Sequence, residues 1–183
     1  AVGQWLATGD AGRARVTVAD IGSVDLEPRS RARLVATGDN EHRLELARGT
    51  LHALVYAPPR LFVVDTPAAT AVDLGCAYTL KVEDDGAGLL EVTAGHVQLE
   101  RGEIESYVPR GALCRMHPGK GPGVPFFKDA PEPLRDVDPA DETAIRAALK
   151  AARPRDRLTL EHLLPRAPKS VTPEIEEALR SLR

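Results

Sequence analysis

The feature that most constrains the fold is a period-two alternation of apolar and polar residues, which runs from Gly12 to about Arg115. Val16 and Val18, for example, flank the polar Thr17. Such alternation is typical of strands with one buried face and one solvent face. The pattern recurs at Leu44 and Leu46, at Leu90 and Val92, and at Val97 and Leu99. It predicts about a dozen short strands.

Turn signals separate these strands at short and regular intervals. They are Gly38-Asp39-Asn40, Arg48-Gly49, Ala57-Pro58-Pro59, Asp84-Asp85-Gly86, Ala94-Gly95, Arg101-Gly102 and Pro109-Arg110-Gly111. Connections this short favour antiparallel pairing, because a parallel pair needs a long crossover. No fixed repeat length emerges, which argues against a regular β-helix. The sequence therefore predicts an all-β, rolled or sandwich-like domain of mainly antiparallel strands.

The character of the chain changes after the last of these strands. Prolines and glycines crowd the segment 118–137, so few backbone donors remain for a sheet, although Phe126 and Phe127 are expected to dock on a sheet edge. This predicts three parts: a β domain over 1–117, a Pro/Gly-rich linker over 118–137, and a small α-helical segment over 138–183.

Helix signals define the last part. Asp138 is a candidate N-cap with Pro139 in the first helical position, and this helix is expected to run to about Arg153. A short helix is expected after Thr159, and a last one is expected to be capped by Thr172. The apolar stripe of the last helix, Ile175, Ala178, Leu179 and Leu182, is expected to pack on the β domain or on the other helices, with a partner groove as the alternative.

Composition excludes several functional classes. The formal net charge is −3, with 24 Lys and Arg against 27 Asp and Glu, which gives no general attraction to nucleic acid or to an anionic membrane surface. No apolar run approaches the length of a membrane span, so no membrane contact is expected. The apolar content of 43% can fill a core.

No arrangement of residues indicates catalysis. A cupin-like enzyme needs several histidines and a carboxylate converging inside a barrel, whereas the five histidines lie one to an element: His42, His52, His96, His117 and His162. There is no Gly-x-Ser-x-Gly motif, and Cys76 falls at a strand corner that would bury it. We therefore expect no catalytic residue, no metal ligand and no cofactor.

The two cysteines, Cys76 and Cys114, are too few for a zinc site of their own. They are either two buried thiols or a disulfide. A disulfide would contribute roughly 4 kcal/mol through loop entropy and would require an oxidising compartment. The sequence leaves both alternatives open.

A block in the middle of the chain carries a signature. In Phe62–Pro67 an apolar strand ends at Thr66-Pro67, and in Ala71–Leu80 a second strand ends at Leu74-Gly75 before a third that carries Tyr78. This block resembles the FecR-type extracytoplasmic sensor domain. Weaker matches in the same order extend the resemblance from Trp5 to Val124: Thr8-Gly9, Val24-Asp25-Leu26 with Ser30, Leu46-Ala47-Arg48-Gly49-Thr50, Val92-Thr93-Ala94-Gly95-His96-Val97 and Val108-Pro109-Arg110-Gly111. Cys76 stands where the family usually has Thr.

The resemblance implies a function. FecR-like proteins are regulators of the inner membrane, with a cytoplasmic anti-sigma segment, one membrane helix and an extracytoplasmic domain that receives a signal from a partner in the cell envelope, such as a transporter. The chain is thus expected to be the extracytoplasmic, periplasmic-side sensor module, reaching a sigma factor only through a cytoplasmic segment that this sequence lacks. The alternative is a cell-envelope β domain that binds a small ligand or a glycan, unrelated to sigma factors.

Overall fold

The computed structural model describes residues 2–182, which form a mostly β structure with a few short helices at the C-terminal end. The strands are β1 Trp5–Ala7, β2 Ala14–Val18, β3 Gly22–Leu26, β4 Arg31–Gly38, β5 Glu41–Val55, β6 Phe62–Asp65, β7 Thr70–Asp73, β8 Ala77–Val82, β9 Gly88–Ala94, β10 His96–Arg101, β11 Ile104–Pro109, β12 Ala112–His117, β13 Gly121–Pro122 and β14 Phe126–Phe127. The α-helices are α1 Glu142–Ala151, α2 Arg157–Leu163 and α3 Thr172–Ser181. The predicted all-β, mainly antiparallel fold class is confirmed.

The strands form two hydrogen-bonded layers that share β5. The first sheet has the order β1-β4-β5-β6-β7-β10-β11. The second has the order β2-β3-β5-β8-β9-β12, and β13 and β14 both pair with β12. Apolar side chains from both layers meet between them, among them the fully buried Leu46, Leu51, Leu80 and Leu90. Together the layers form a nearly closed roll.

Strand β5 joins the layers because it bends at Gly49. Its residues up to Arg48 pair in the first sheet, and those from Gly49 onwards pair in the second. A straight strand would separate His42 from Val55 by about 43 Å. The connection 56–61 can span at most about 25 Å, yet it brings Phe62 back beside His42 in a parallel pair.

Gly49 permits the bend for two reasons. Its φ is +95°, which L side chains rarely adopt, and a Cβ at this position would collide with Ser30. Ser30 is itself buried, and its hydroxyl donates to Thr50 O (3.2 Å) and accepts from Thr50 N (2.9 Å). The backbone of β5 and the segment before β4 are therefore in direct contact at the crossing.

The helical segment packs against one edge of the roll through a second apolar core. Leu113 and Phe126 contribute to it from the strands, and Ile145, Leu160 and Ile175 contribute one buried side chain from each α-helix. The rest of the predicted stripe of the last helix, Ala178, Leu179 and Leu182, is half-buried against the same core. The segment predicted as a linker contains β13 and β14, which pair with β12. The division of the chain into three parts stays a prediction.

Helix boundaries differ from the sequence prediction by a few residues. The first helix begins one turn later than expected, because Asp141 rather than Asp138 caps it and accepts hydrogen bonds from Thr143 N (2.8 Å) and Ala144 N (3.1 Å). Asp138 instead accepts from Ala140 N (2.9 Å) in the preceding turn. The middle helix begins at Arg157, which is earlier than predicted.

Candidate functional site

The signature block forms the β6–β7 hairpin and the corner that leads into β8. Thr66 holds the hairpin turn, since its hydroxyl donates to Ala69 O (2.6 Å) and accepts from Ala69 N (3.0 Å). Asp73 holds the corner: one carboxylate oxygen accepts from Gly75 N (2.6 Å) and the other from Cys76 Sγ (2.6 Å). These polar groups satisfy one another within the protein, so the signature is a structural element.

Burial suppresses ionisation of the Cys76 thiol at the same corner. Burial raises the pKa of Asp73, although its hydrogen bonds from Cys76 and Gly75 oppose the change. Burial also raises the pKa of the Cys76 thiol, and the neighbouring carboxylate raises it further. A thiol with a raised pKa carries little thiolate at neutral pH and is a poor nucleophile. The Tyr78 hydroxyl is buried beside them, with no hydrogen-bond partner within residues 2–182.

The histidines have separate environments. His42 contacts Thr37, His52 lies between Glu27 and Thr79, His96 stacks on Tyr107, His117 contacts Asp136, and His162 contacts the backbone of Tyr107. Among residues 2–182, no group of three His, Cys, Asp or Glu side chains is placed to hold a metal ion.

The structure separates the two cysteines, and both are buried free thiols. Leu80, Leu90 and Cys114 lie side by side across β8, β9 and β12, whereas Cys76 lies beyond the end of β8 that pairs with Ala94. This places the cysteines about 13 Å apart along the strands and about 10 Å apart across them. A disulfide requires Cα atoms within about 7 Å. In this geometry the cysteines are two separate thiols, and the Cys76–Cys114 bridge stays a prediction that thiol counting can test.

The roll is open in two places, and side chains seal one of them. Between β11 and β13, the Ser106 hydroxyl donates to Gly123 O (2.6 Å). Arg166, which follows α2, donates to Pro122 O (3.1 Å), Gly123 O (3.0 Å) and Ser106 Oγ (2.8 Å), and also to Glu105 O. The helical segment is thereby tied to the outer edge of β11.

A second side chain from the helical segment completes this seal. His162 Nε2 accepts a hydrogen bond from Tyr107 N (3.1 Å), so His162 Nδ1 must be the atom that donates to Leu158 O (2.9 Å). Burial lowers the pKa of His162, and the charge of Arg166 lowers it further. Burial also lowers the pKa of Arg166, which has no carboxylate within 4.0 Å in the described part of the chain. The seal is built for a neutral imidazole.

The other opening, between β1 and β2, is unsealed. Strand β2 pairs with β3 on one side, and within residues 2–182 no strand pairs with its other side. An apolar cleft of about 380 Å³ lies here, into which Leu6 projects with 40% of its surface exposed. The remaining apolar side chains that line it are Trp5, Val16, Val24, Leu26, Ala32, Leu34 and Leu44. We call this opening the β1–β2 gap.

A larger cavity of about 620 Å³ lies on the opposite side, between β13 and the start of the helical segment. Its polar lining includes His117, Lys120 and Asp138, and Asp136 accepts from His117 Nε2 at 2.8 Å. Lys120 Nζ lies 3.3 Å from Asp138 Oδ2. The cavity thus offers two carboxylates, Asp136 and Asp138, that already pair with His117 and Lys120.

The sequence model of the family described as "FecR protein" matches residues 4–98. This is more than half of the chain, from β1 into β10. The chain belongs to the FecR family. FecR proteins are regulators. The matched range includes the whole signature block, whereas the Val108–Gly111 motif lies beyond it.

Solved structures agree with this FecR assignment at the level of the fold. Two crystal structures of a candidate anti-sigma factor from Parabacteroides distasonis ATCC 8503 superpose with a TM-score of 0.59. Their sequences are 16% and 17% identical to this chain; the match covers 81% of this chain and 73% or 74% of theirs. No curated protein sequence matches. No helix within residues 2–182 is long and apolar enough to cross a membrane.

Sequence reasoning did not find the residues that seal or open the roll. His162 and Arg166 lie in a segment whose helical pattern says nothing about their contacts with β11. The open edge of β2 was equally invisible, because an edge strand and a central strand can share the same alternation. The one sequence signal was the pair Arg13 and Arg15, since charged side chains are typical of exposed edges.

Proposed function

We propose that this chain is the extracytoplasmic, protein-binding sensor module of a FecR-like regulator, which relays an envelope signal to an anti-sigma and sigma factor pair. Family membership is the observation that carries this proposal. The fold supports it, because solved structures of the same fold belong to a candidate anti-sigma factor. The raised pKa of the buried Cys76 thiol makes it a poor nucleophile, which supports a binding role over a catalytic one.

The roll has properties that suit a receiver of protein signals. Its helical segment seals the outer edge of β11, whereas within residues 2–182 the outer edge of β2 pairs with no strand and is available to a partner. The net charge of −3 gives no general attraction to nucleic acid or to an anionic bilayer. In this proposal the sigma factor is contacted by a cytoplasmic segment and reached through a membrane span, both outside this sequence.

Two experiments on the full-length protein test this function. Alkaline phosphatase fused after residue 183 is expected to be active, because the enzyme folds only outside the cytoplasm; a cytoplasmic reporter fused at the same point is the matched control. Removal of residues 4–182 is expected to change the output of a promoter read by the sigma factor encoded beside the regulator. An inactive phosphatase with an active cytoplasmic reporter would refute the extracytoplasmic placement.

A second candidate is the binding of a small ligand or glycan, and the 620 Å³ cavity favours it. Asp136, Asp138 and their partners His117 and Lys120 could exchange their mutual contacts for contacts with the hydroxyl groups of a sugar. A panel of mono- and disaccharides should then raise the unfolding temperature of the wild-type protein and leave that of Lys120→Ala unchanged. Equal responses of the two proteins would argue against this candidate.

A further inference from the structure

We propose that the β1–β2 gap is the site where the partner binds, and that the occupant is an extended segment of a different protein that adds a strand to β2. This inference rests on the proposed sensor function and specifies its binding site. Three features each set one requirement for the occupant: the hydrogen-bonding edge of β2, the apolar cleft beside it, and the charges near the cleft.

The first requirement is a free backbone. Within residues 2–182, the backbone groups of Ala14–Thr17 form hydrogen bonds with β3 alone. Such an edge is a template for another strand. At the other end of the roll, Arg166 and His162 occupy the corresponding groups of β11. Within residues 2–182, β1 across the gap also pairs with one strand only, β4. An extended segment could therefore pair with β2 and lie beside β1.

The second requirement is an alternating set of apolar side chains. A strand added to β2 would point every second side chain towards the cleft that Leu6, Val16 and Leu34 line. The apolar surface of Leu6 would then be removed from water, which stabilises the complex by about 25 cal/mol for each Å² buried. Successive apolar residues without alternation would place half of them in solvent.

The third requirement is negative charge. Arg33 lines the cleft, and Arg31 lies on the same strand, β4. Arg13 precedes β2 and Arg15 lies on it. Three of these arginines, Arg13, Arg15 and Arg33, pair with Glu27, Asp25 and Glu45 at 2.6 to 2.9 Å. Arg31 lies 4.1 Å from the centre of the Trp5 ring and has no carboxylate within 4.0 Å in the described part of the chain. An acidic side chain on the outward face of the partner strand would complement Arg31.

The same arginines disfavour a second copy of this chain. Two β2 strands paired antiparallel would bring Arg13 and Arg15 of one copy close to those of the other. Like charges that face each other across strands are destabilising. The occupant is therefore a heterologous segment with alternating apolar residues and at least one acid.

The test uses Trp5, which is the only tryptophan of the chain and lines the gap. A panel of short synthetic peptides with alternating Val or Leu and polar residues, including Glu, is titrated into the protein while tryptophan fluorescence is recorded. Controls are peptides of the same composition with the apolar residues in one block, and peptides with Lys in place of Glu. We expect saturable binding of the alternating acidic peptides and protection of the Ala14–Thr17 amides from hydrogen exchange.

Two matched variants locate the binding site. Leu6→Glu places a carboxylate in the gap, and we expect at least about a tenfold loss of affinity because the charge would be buried on binding. Leu54→Glu changes a side chain of similar exposure, 44% against 40%, on the outer face of the second sheet and should leave affinity unchanged. The hydrogen-exchange measurement needs no variant and decides the question if Leu6→Glu does not fold.

The outcomes are distinct. Protection of amides other than Ala14–Thr17, or an absence of saturable binding across the panel, overturns the gap as the binding site. A concentration-dependent dimer that Leu6→Glu dissociates overturns it in favour of a second copy. If the phosphatase and promoter experiments succeed while the peptide experiment fails, the sensor function stands and only the assigned site is wrong.

Discussion

Replacement of Gly49 by Ala tests whether the crossing of β5 between the sheets determines the stability of the roll. The new Cβ would meet Ser30, whose hydroxyl hydrogen-bonds both backbone groups of Thr50. The left-handed φ costs an alanine about 1–2 kcal/mol. Displacing Ser30 would leave buried polar groups unpaired, at about 1–3 kcal/mol each. If both Thr50 groups lose their partner, the expected total is a loss of about 3–8 kcal/mol, against a typical stability of about 5–15 kcal/mol.

Gly111→Ala is the matched control for this prediction. Gly111 also has a positive φ, +81°, but nothing lies within 4 Å of the position that its Cβ would occupy. The Gly111→Ala variant should therefore lose only the cost of the left-handed φ, about 1–2 kcal/mol of the free energy of unfolding. Urea unfolding followed by Trp5 fluorescence and circular dichroism gives the free energy of unfolding of both variants and the wild type. Equal losses in the two variants would refute the claim that contact with Ser30 makes the crossing specific to glycine.

The remaining predictions concern the helical segment and the thiols. Because the pKa of His162 is lowered in the folded state, the unfolded chain binds the proton more readily, so the free energy of unfolding should fall as pH decreases through about 6.5. In the His162→Gln variant, the free energy of unfolding should fall less over this pH range. Urea unfolding of the variant and the wild type from about pH 8 to pH 5 measures the difference, and identical pH profiles would contradict a neutral His162 in the seal. Ile145→Ala should destabilise the fold by about 2–5 kcal/mol, because Ile145 is fully buried in the second core; a loss below about 1 kcal/mol would mean that this core contributes little. A thiol reagent at neutral pH should label Cys76 and Cys114 only after unfolding, since burial raises both pKa values, that of Cys114 to about 12; unreactive cysteines in denaturant would reveal an oxidised bridge.

Local patterns predicted much of the secondary structure. The alternation around Val16, Leu44 and Leu90 identified true strands, and acids early in a segment with arginines late identified true helices. Helix ends were less accurate, because Asp138 and Asp141 both have the chemistry of an N-cap. The choice between them depends on where Ile145 meets the second core, which the sequence does not display.

The sequence by itself determined the fold class, the FecR membership and the likeness of the signature block to a sensor domain, because these depend on residue periodicity, turn chemistry and motif order along the chain. The tertiary structure decided that β5 passes from one sheet to the other, that Cys76 and Cys114 lie on separate parts of the second sheet, and that β11 is sealed while β2 stays open. The physical reason is that each of these depends on strand register and on contacts between residues far apart in the chain. A one-residue change of register would rearrange all of them without changing the alternation from which the strands were predicted.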